Sequence, residues 1–161
     1  MTSASLHHVA FASRDLGETR HFYEDLLGLP LVHTEVAPVG EGFMRHAFFK
    51  MDDGSCVAFF ELHDAGEEPG WSSAISTGNK LPVWVNHLAL RADEERQATV
   101  RERMAAEDRD PPMVLDHDWC RSEYYLDPNG ILVELCRDTP GLPVEPERAV
   151  EMLTAVPSPE G

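Results

Sequence analysis

Residues 6–28 read LHHVAFASRDLGETRHFYEDLLG, a pattern typical of a strand followed by a helix. The opening LHHVAFA favours a β-strand, along which successive side chains point to opposite faces. The remainder predicts a helix, because Asp15 with Glu18 three residues later resembles a capping box and Gly28 suits the position after the helix. The predicted helix has an apolar side, formed by Leu16, Phe22, Tyr23, Leu26 and Leu27. The chain therefore begins with a strand and an amphipathic helix.

Three more strand-like segments complete a β-α-β-β-β unit. They read LPLVHTEV (29–36), FMRHAFFKM (43–51) and SCVAFFEL (55–62), and the turn sequence DDG joins the last two. The same order returns later in the chain. It is carried by VWVNHLALR (83–91), the helical DEERQATVRERMAAED (93–108), PPMVLDH (111–117), RSEYYLD (121–127) and ILVELC (131–136). The pattern predicts an α+β fold of two tandem βαβββ modules.

Changes in composition place the boundaries of these modules. The first module is predicted over residues 1–64 and the second over residues 83–137. Between them, residues 65–82 are rich in Gly, Ser and acidic residues and are typical of a linker. The Pro-rich residues 138–161 predict a loose tail with a short helix around 147–153.

Charge and cysteine content limit the classes of function. The 161-residue chain has 13 Lys+Arg against 29 Asp+Glu, which gives a formal net charge of -16. Such a charge disfavours binding to nucleic acid or to anionic membranes. The N-terminus has no basic region followed by an apolar run, so no secretory signal is expected. The three cysteines, Cys56, Cys120 and Cys136, lack CxxC spacing and indicate reduced thiols in a cytoplasmic protein.

Each module carries a histidine on its first strand and a glutamate on its last. His8 and His87 lie in similar contexts, HHVAF and NHLAL, separated by 79 positions. Glu61 and Glu134 lie in the apolar runs FFEL and LVEL, separated by 73 positions. A carboxylate in a buried strand is costly unless it is paired or binds a metal. The repeated pattern predicts a divalent metal site for Fe(II), Mn(II), Ni(II), Co(II) or Zn(II).

These residues also carry a family resemblance. From about residue 5 to residue 137, the chain resembles the vicinal oxygen chelate superfamily, which includes glyoxalase I, extradiol dioxygenases, methylmalonyl-CoA epimerase, and fosfomycin and bleomycin resistance proteins. The opening stretch and the closing YYLDPNGILVEL (124–135) carry this resemblance. It implies a cupped mixed sheet around a metal, with His8, His87 and Glu134 as ligands and Glu61 as a fourth. It also implies a homodimer.

The end of the second module is similar to the signature that closes extradiol dioxygenases. In LDHDWCRSEYYLDPNGILVE (115–134), the matching positions are His117, Tyr124, Asp127, Pro128, Gly130 and Glu134. The resemblance implies that His117 acts as an acid/base or hydrogen-bond donor and that Tyr124 contacts the substrate. Many ring-cleaving enzymes carry a further histidine on the preceding module, for which His46 and His63 are candidates. The favoured function is a mononuclear Fe(II) dioxygenase that uses O2 to cleave a small catecholic substrate.

Two other functions stay open. A glyoxalase-I-like lyase or isomerase would hold its metal with four protein ligands and move a proton through Glu61. A drug-binding resistance protein of the same fold would need no metal, although this chain carries the full set of histidines and glutamates. Replacing Glu61 separates the two enzyme classes, because only the lyase depends on it.

Overall fold

The computed structural model describes residues 4–157 of the chain. Eight strands form two four-stranded sheets. The strands are β1 (His8–Ala12), β2 (Leu31–Val39), β3 (Gly42–Lys50), β4 (Cys56–His63), β5 (His87–Arg91), β6 (Met113–Asp116), β7 (Cys120–Leu126) and β8 (Leu132–Asp138). The helices are α1 (Leu16–Arg20), α2 (Glu94–Ala106) and α3 (Pro146–Met152). A π-helical segment (His21–Leu26) continues α1, and a 3-10 turn covers Thr77–Asn79.

The two sheets have the same topology. Their strand orders are β1-β4-β3-β2 and β5-β8-β7-β6. In each sheet the first strand of the module runs parallel to its last strand, and the other neighbours are antiparallel. The predicted α+β fold of two βαβββ modules is therefore confirmed.

The helix of the first module begins and ends close to the predicted positions. The Asp15 side chain accepts the backbone N–H groups of Gly17 and Glu18 at 2.7 and 3.0 Å, which makes it the N-cap. Gly28 has a φ of 79°, a left-handed conformation that glycine adopts without steric cost. The change to π-helical geometry at His21 has no counterpart in the sequence prediction.

Each sheet has two different faces. One face packs against the helices in a shared hydrophobic core, and we call it the core face. On this face of the first sheet, the ring of Tyr23 lies 4.7 Å from Phe59 and 5.6 Å from Phe49, measured between centroids. The opposite face carries His8 in the first sheet and His87 in the second, because side chains alternate along a strand. We call it the histidine face.

The two modules pack together through their helical sides. A single cluster of buried apolar residues includes members of both modules. Arg96 of α2 donates to the carbonyl oxygen of Leu27 at 3.0 Å, and the Tyr23 hydroxyl donates to Asp127 at 3.0 Å. Since these contacts lie on the core side of each sheet, the two histidine faces point away from the contact between modules.

Outside the modules, regular structure is sparse. In the fully described stretch 65–82 it consists of the 3-10 turn, and the tail contains α3, close to the predicted helix at 147–153. Residues 1–3 and 158–161, at the ends of the predicted first module and tail, lie outside the described residues. None of the described helices has both the length and the apolar character that crossing a membrane requires.

Candidate functional site

The second module brings His87 and Glu134 together on its histidine face. Strand β5 runs parallel to β8, with His87 aligned to Leu132, so Glu134 lies two residues further along. This even offset keeps both side chains on one face, and His87 Nε2 lies 3.1 Å from Glu134 Oε2. His87 Nδ1 lies 2.8 Å from the carbonyl oxygen of Trp84. A donor bond from Nδ1 leaves Nε2 free to bind an ion, which is how metal-binding histidines are usually oriented.

Strand β7 places further polar side chains beside Glu134. Ser122 Oγ donates to Glu134 Oε1, and Tyr124 is aligned with Glu134 in the antiparallel register. The Tyr124 hydroxyl lies 2.8 Å from His117 Nε2. Burial and the nearby Glu134 charge raise the pKa of Tyr124 to about 12, so the phenol stays protonated at neutral pH. The predicted pair His117 and Tyr124 therefore meets next to Glu134.

Two cysteines extend the same cluster. Cys136 follows Glu134 by two residues on β8, and Cys120 precedes Ser122 by two residues on β7, so both point to the histidine face. The two sulfur atoms and a carboxylate oxygen of Glu134 all lie within 4.8 Å of one another. Cys120 is buried, whereas Cys136 is partly exposed. Burial and the adjacent Cys120 thiol raise the pKa of Cys136 to about 12, so it is a neutral thiol at neutral pH.

The first module places an exposed His8 on its own histidine face. His46 of β3 lies on the same face, with its ring centroid 6.2 Å from that of His8 and stacked at 3.7 Å on Phe60. His46 is 6% exposed, and its Nδ1 lies 3.1 Å from a Glu35 carboxylate oxygen. Its Nε2 is buried and has no hydrogen-bond partner among the described residues. Of the two candidates for a further histidine, His46 is the one that shares a face with His8.

Glu61 does not occupy the position equivalent to Glu134. Strand β1 pairs with β4 so that His8 is aligned with Cys56, and Glu61 lies five residues further along. This odd offset puts Glu61 on the core face, opposite to His8. The residue at the position of Glu134 is Ala58. The predicted equivalence of the two glutamates is therefore wrong, because it compared spacing along the chain and not the register of the strands.

Glu61 instead holds the first module together. Its carboxylate accepts the backbone N–H of Leu16 at 3.1 Å, at the start of α1, and lies 2.9 Å from His63 Nε2. It also forms an ion pair with Arg45 on β3. Burial alone would raise the pKa of Glu61, but the hydrogen bonds from His63, Leu16 and Arg45 outweigh it and hold the pKa below its usual value. These contacts join β3 and β4 to the helix.

The predicted metal ligands His8, His87 and Glu134 do not lie together within one chain. Within residues 4–157, Cys120, Glu134 and Cys136 form the only group of at least three His, Cys, Asp or Glu side chains whose ligand atoms lie within 4.8 Å. His8 belongs to the first sheet, whereas His87 and Glu134 belong to the second. Metal–ligand bonds to nitrogen and oxygen are about 2.0–2.2 Å long. His8 therefore does not reach an ion held by the other two residues of the same chain.

The second module nevertheless fits part of a metal centre. It offers an imidazole nitrogen whose orientation is set by a hydrogen bond on the other side of the ring, next to a carboxylate that is only 5% exposed. These two groups are of the same types as two of the three ligands in a 2-His-1-carboxylate site, and an exposed histidine such as His8 is of the type of the third.

Sequence reasoning missed three neighbours of Glu134. Ser122 is absent from the predicted site residues, and the sequence predicts Cys120 and Cys136 only as reduced thiols, because the chain has no CxxC motif. The alternation along β7 and β8 was the available signal. Cys136 stands two residues after Glu134 in ILVELC, and Cys120 stands two residues before Ser122, so each pair must share a face.

Known proteins share this architecture. A family model described as "Glyoxalase/Bleomycin resistance protein/Dioxygenase superfamily" matches residues 5–135. No match is found among the curated proteins.

Solved structures share the fold at low sequence identity. A glyoxylase/bleomycin resistance protein/dioxygenase domain from Frankia sp. EAN1pec is 15% identical with a TM-score of 0.66, over 88% of this chain and 96% of its own. The fosfomycin resistance protein FosX from Listeria monocytogenes, complexed with Mn(II) and sulfate, is 19% identical with a TM-score of 0.55, over 87% and 96%. The antibiotic-binding protein TnmS3 from Streptomyces sp. CB03234 is 18% identical with a TM-score of 0.55, over 86% and 99%. With its repeated modules and a family match over most of its length, this chain belongs to the glyoxalase/bleomycin resistance protein/dioxygenase superfamily, the vicinal oxygen chelate proteins.

Proposed function

We propose that this protein is a metal-dependent ring-cleaving dioxygenase of the extradiol type, which acts on a small catecholic substrate. The observation that carries the proposal is the arrangement on one face of the second sheet. There, His87 Nε2 and Glu134 Oε2 are 3.1 Å apart, and the hydrogen-bonded pair of His117 and Tyr124 lies beside them. A proton-transfer pair next to a ligand pair is what this chemistry requires.

The metal of this proposal is Fe(II), held by His8, His87 and Glu134. A 2-His-1-carboxylate set with open positions suits non-haem Fe(II). When bound, ferrous iron supplies the redox chemistry and the open coordination positions that ring cleavage needs. His46 is the further histidine that the first module would contribute beside His8. Its buried Nε2 has no hydrogen-bond partner in the described part of the chain.

Side chains around the metal ligands have distinct roles in the proposal. The Tyr124 phenol orients the substrate through a hydrogen bond, and His117 Nε2, 2.8 Å away, takes up or returns the proton. Ser122 donates to the Glu134 oxygen that does not face His87, which holds the carboxylate in one rotamer. Such supporting hydrogen bonds keep ligand atoms in place for an ion.

The proposed active unit is a homodimer, in which the partner's His8 completes the site of each protomer. In a two-fold dimer, every contact occurs twice, so one pairing of a first-module face with a second-module face produces two complete sites. Exposed apolar side chains are available for such an interface on the outer strands, including Val36, 64% exposed on β2, and Met113, 51% exposed on β6. Exposed apolar groups on the outer strand of each sheet favour burial against another surface.

The position of Glu61 weighs against the four-ligand lyase or isomerase. Such an enzyme needs a second carboxylate on the metal, and Glu61 lies on the core face, where Arg45 and His63 occupy it. The corresponding position on the histidine face is Ala58, which offers no ligand atom. The proposal therefore keeps three ligands.

Anaerobic reconstitution with Fe(II), followed by oxygen uptake with a panel of catechols, tests this function. We expect about one iron per protomer and catechol-dependent oxygen consumption. The variants H87A and E134A should lose both, because each removes a ligand. The matched control is E61Q, a change to the other strand-borne glutamate, which should keep its iron and most of its activity.

Different results would contradict the proposal. Iron retained by H87A and E134A would show that the ligands are wrong. Tight Ni(II), Co(II) or Zn(II) without oxygen uptake, together with loss of activity in E61Q, would favour the lyase or isomerase. A protein that binds no metal under any of these conditions would be a binding protein of the same fold.

A further inference from the structure

The second module contains two thiols beside the proposed metal ligand, and no step of the proposed function uses them. Cys120 and Cys136 are diagonal neighbours on β7 and β8, since Cys120 is aligned with Asp138 and Cys136 with Ser122. Both sulfur atoms lie within 4.8 Å of each other and of a Glu134 oxygen. The cluster comes entirely from one protomer and needs no partner subunit to form.

The donor atoms of this cluster differ from those of the proposed iron centre. Two sulfur atoms and one carboxylate oxygen form a set that suits thiophilic d10 cations such as Zn(II) or Cd(II), which accept tetrahedral sulfur ligands. Tetrahedral Zn–S bonds of about 2.3 Å place two sulfurs roughly 3.8 Å apart. This separation is compatible with the two Sγ atoms of the cluster, which lie within 4.8 Å of each other. Harder ions such as Mn(II) or Mg(II) prefer oxygen and nitrogen ligands.

The cluster is open to solvent on one side. His87 Nε2 lies 3.1 Å from Glu134 Oε2 but does not belong to the group of atoms within 4.8 Å, so water completes the coordination of an ion bound there. Cys120 is buried, but Cys136 is partly exposed and the His87 side chain is 36% exposed, so an ion can enter from the histidine face.

We propose that Cys120, Cys136 and Glu134 of a single protomer form a second metal site, selective for thiophilic divalent cations such as Zn(II) and Cd(II). Binding replaces the two S–H protons, which pass to solvent, with two metal–sulfur bonds, and no atom is oxidised or reduced. The site shares Glu134 with the proposed iron centre. Competition between the two ions rests on the proposed function, because it requires the iron centre. The thiol site itself does not depend on that centre.

Titration of the reduced, metal-free protein with Cd(II) tests the site directly. Cadmium bound to thiolates produces an ultraviolet charge-transfer absorption that nitrogen and oxygen ligands do not. We expect this absorption to saturate at about one Cd(II) per chain, with release of about two protons. The variants C120S and C136S should each weaken binding by about 10-fold or more, because each loses a sulfur ligand.

Two controls separate this site from the rest of the protein. C56S removes the remaining cysteine, which lies on β4 of the first module beside His8, and should leave the titration unchanged. H8A should also leave it unchanged, because the site needs no ligand from the first module. The far-ultraviolet circular dichroism of each variant checks that it is folded.

Competition is measured separately, by the electron paramagnetic resonance of Mn(II) bound at the iron centre. Zn(II) also displaces Mn(II) directly at nitrogen and oxygen ligands, so the two proteins are compared over a Zn(II) titration. If Glu134 is shared, the C120S/C136S double variant should need about 10-fold more Zn(II) than the wild type to release its Mn(II). Cadmium absorption that survives in C120S and C136S, or that is lost in C56S or H8A, would overturn the thiol site. A normal Cd(II) titration in a protein that binds neither Mn(II) nor Fe(II) would leave the thiol site standing and refute the proposed iron centre.

Discussion

Glu61 and Glu134 are the same residue type in similar apolar strands, yet their surroundings give them different roles. Glu134 shares the histidine face with His87, and Glu61 lies on the core face with Arg45 and a helix N-terminus. A buried carboxylate needs charged or hydrogen-bonding partners wherever it lies. Its presence in a strand therefore indicates a paired group, and the register shows which face of the sheet that pairing lies on.

For Glu61, the lowered pKa predicts a pH-dependent loss of stability on substitution. At neutral pH, E61Q should lower the free energy of unfolding by about 1–3 kcal/mol, because charge-assisted hydrogen bonds are lost. Since the folded-state pKa lies below the unfolded value of about 4.3, the contribution of Glu61 is complete above that value and disappears as the pH falls through the folded-state pKa. Urea unfolding of both proteins at neutral and acidic pH checks this. A difference that stays constant in acid would contradict the role of the carboxylate charge.

In the proposed function, substitution of His117 or Tyr124 should impair catalysis without loss of the metal. Y124F removes the hydroxyl from the hydrogen bond between Tyr124 and His117, and H117Q removes the imidazole. Each should lower kcat by about 10²-fold or more while iron content stays at the wild-type level. Y125F is the matched control, because Tyr125 lies on the core face and donates to Glu123. Loss of iron in Y124F would mean that Tyr124 supports the ligands and does not act on the substrate.

At the scale of elements, the alternation of apolar residues and the repeated strand–helix order were enough to predict both modules. The capping residues Asp15 and Gly28 also marked the ends of the first helix nearly correctly. The register between β1 and β4 was not predictable in the same way. It depends on which residues of the two strands are paired, and the spacing along the chain does not specify that. The two separations, 79 positions for the histidines and 73 for the glutamates, already differed by six, which was a sign that the modules do not superpose residue for residue.

The elements of the two modules are joined by a buried polar contact that can be tested. The Tyr23 hydroxyl, on the π-helical segment, donates to Asp127 in the turn between β7 and β8, which is only 4% exposed. Y23F should lower the free energy of unfolding by about 1–3 kcal/mol, because a buried acceptor loses a donor. Hydrogen exchange should show faster exchange in the backbone of both modules, whereas Y125F should affect the second module alone. An unchanged urea midpoint for Y23F would show that this contact does not stabilise the pair.

At the scale of the whole molecule, the contact between helical sides leaves His8 and the pair of His87 and Glu134 on separate outward faces, which the proposed homodimer brings together. If the partner's His8 completes each site, H8A and E134A should each be inactive alone. After unfolding and refolding as a mixture, about half of the dimers should be mixed, each with one intact site, which restores about a quarter of wild-type activity. A mixture of H87A and E134A is the matched control, and it should not recover activity because both variants lose a ligand from the second module. No recovery in the mixture of H8A and E134A would contradict the shared site.

The outward-facing histidine faces also have a consequence for how the protein behaves on dilution. A site divided between two chains exists only while the chains are associated, so its occupancy follows mass action. Below the dissociation constant of the dimer, iron and activity should leave together while the fold of each protomer persists. Specific activity should then rise with protein concentration, and the added metal should itself tighten the association. In the proposed homodimer, the concentration of the chain therefore controls its chemistry.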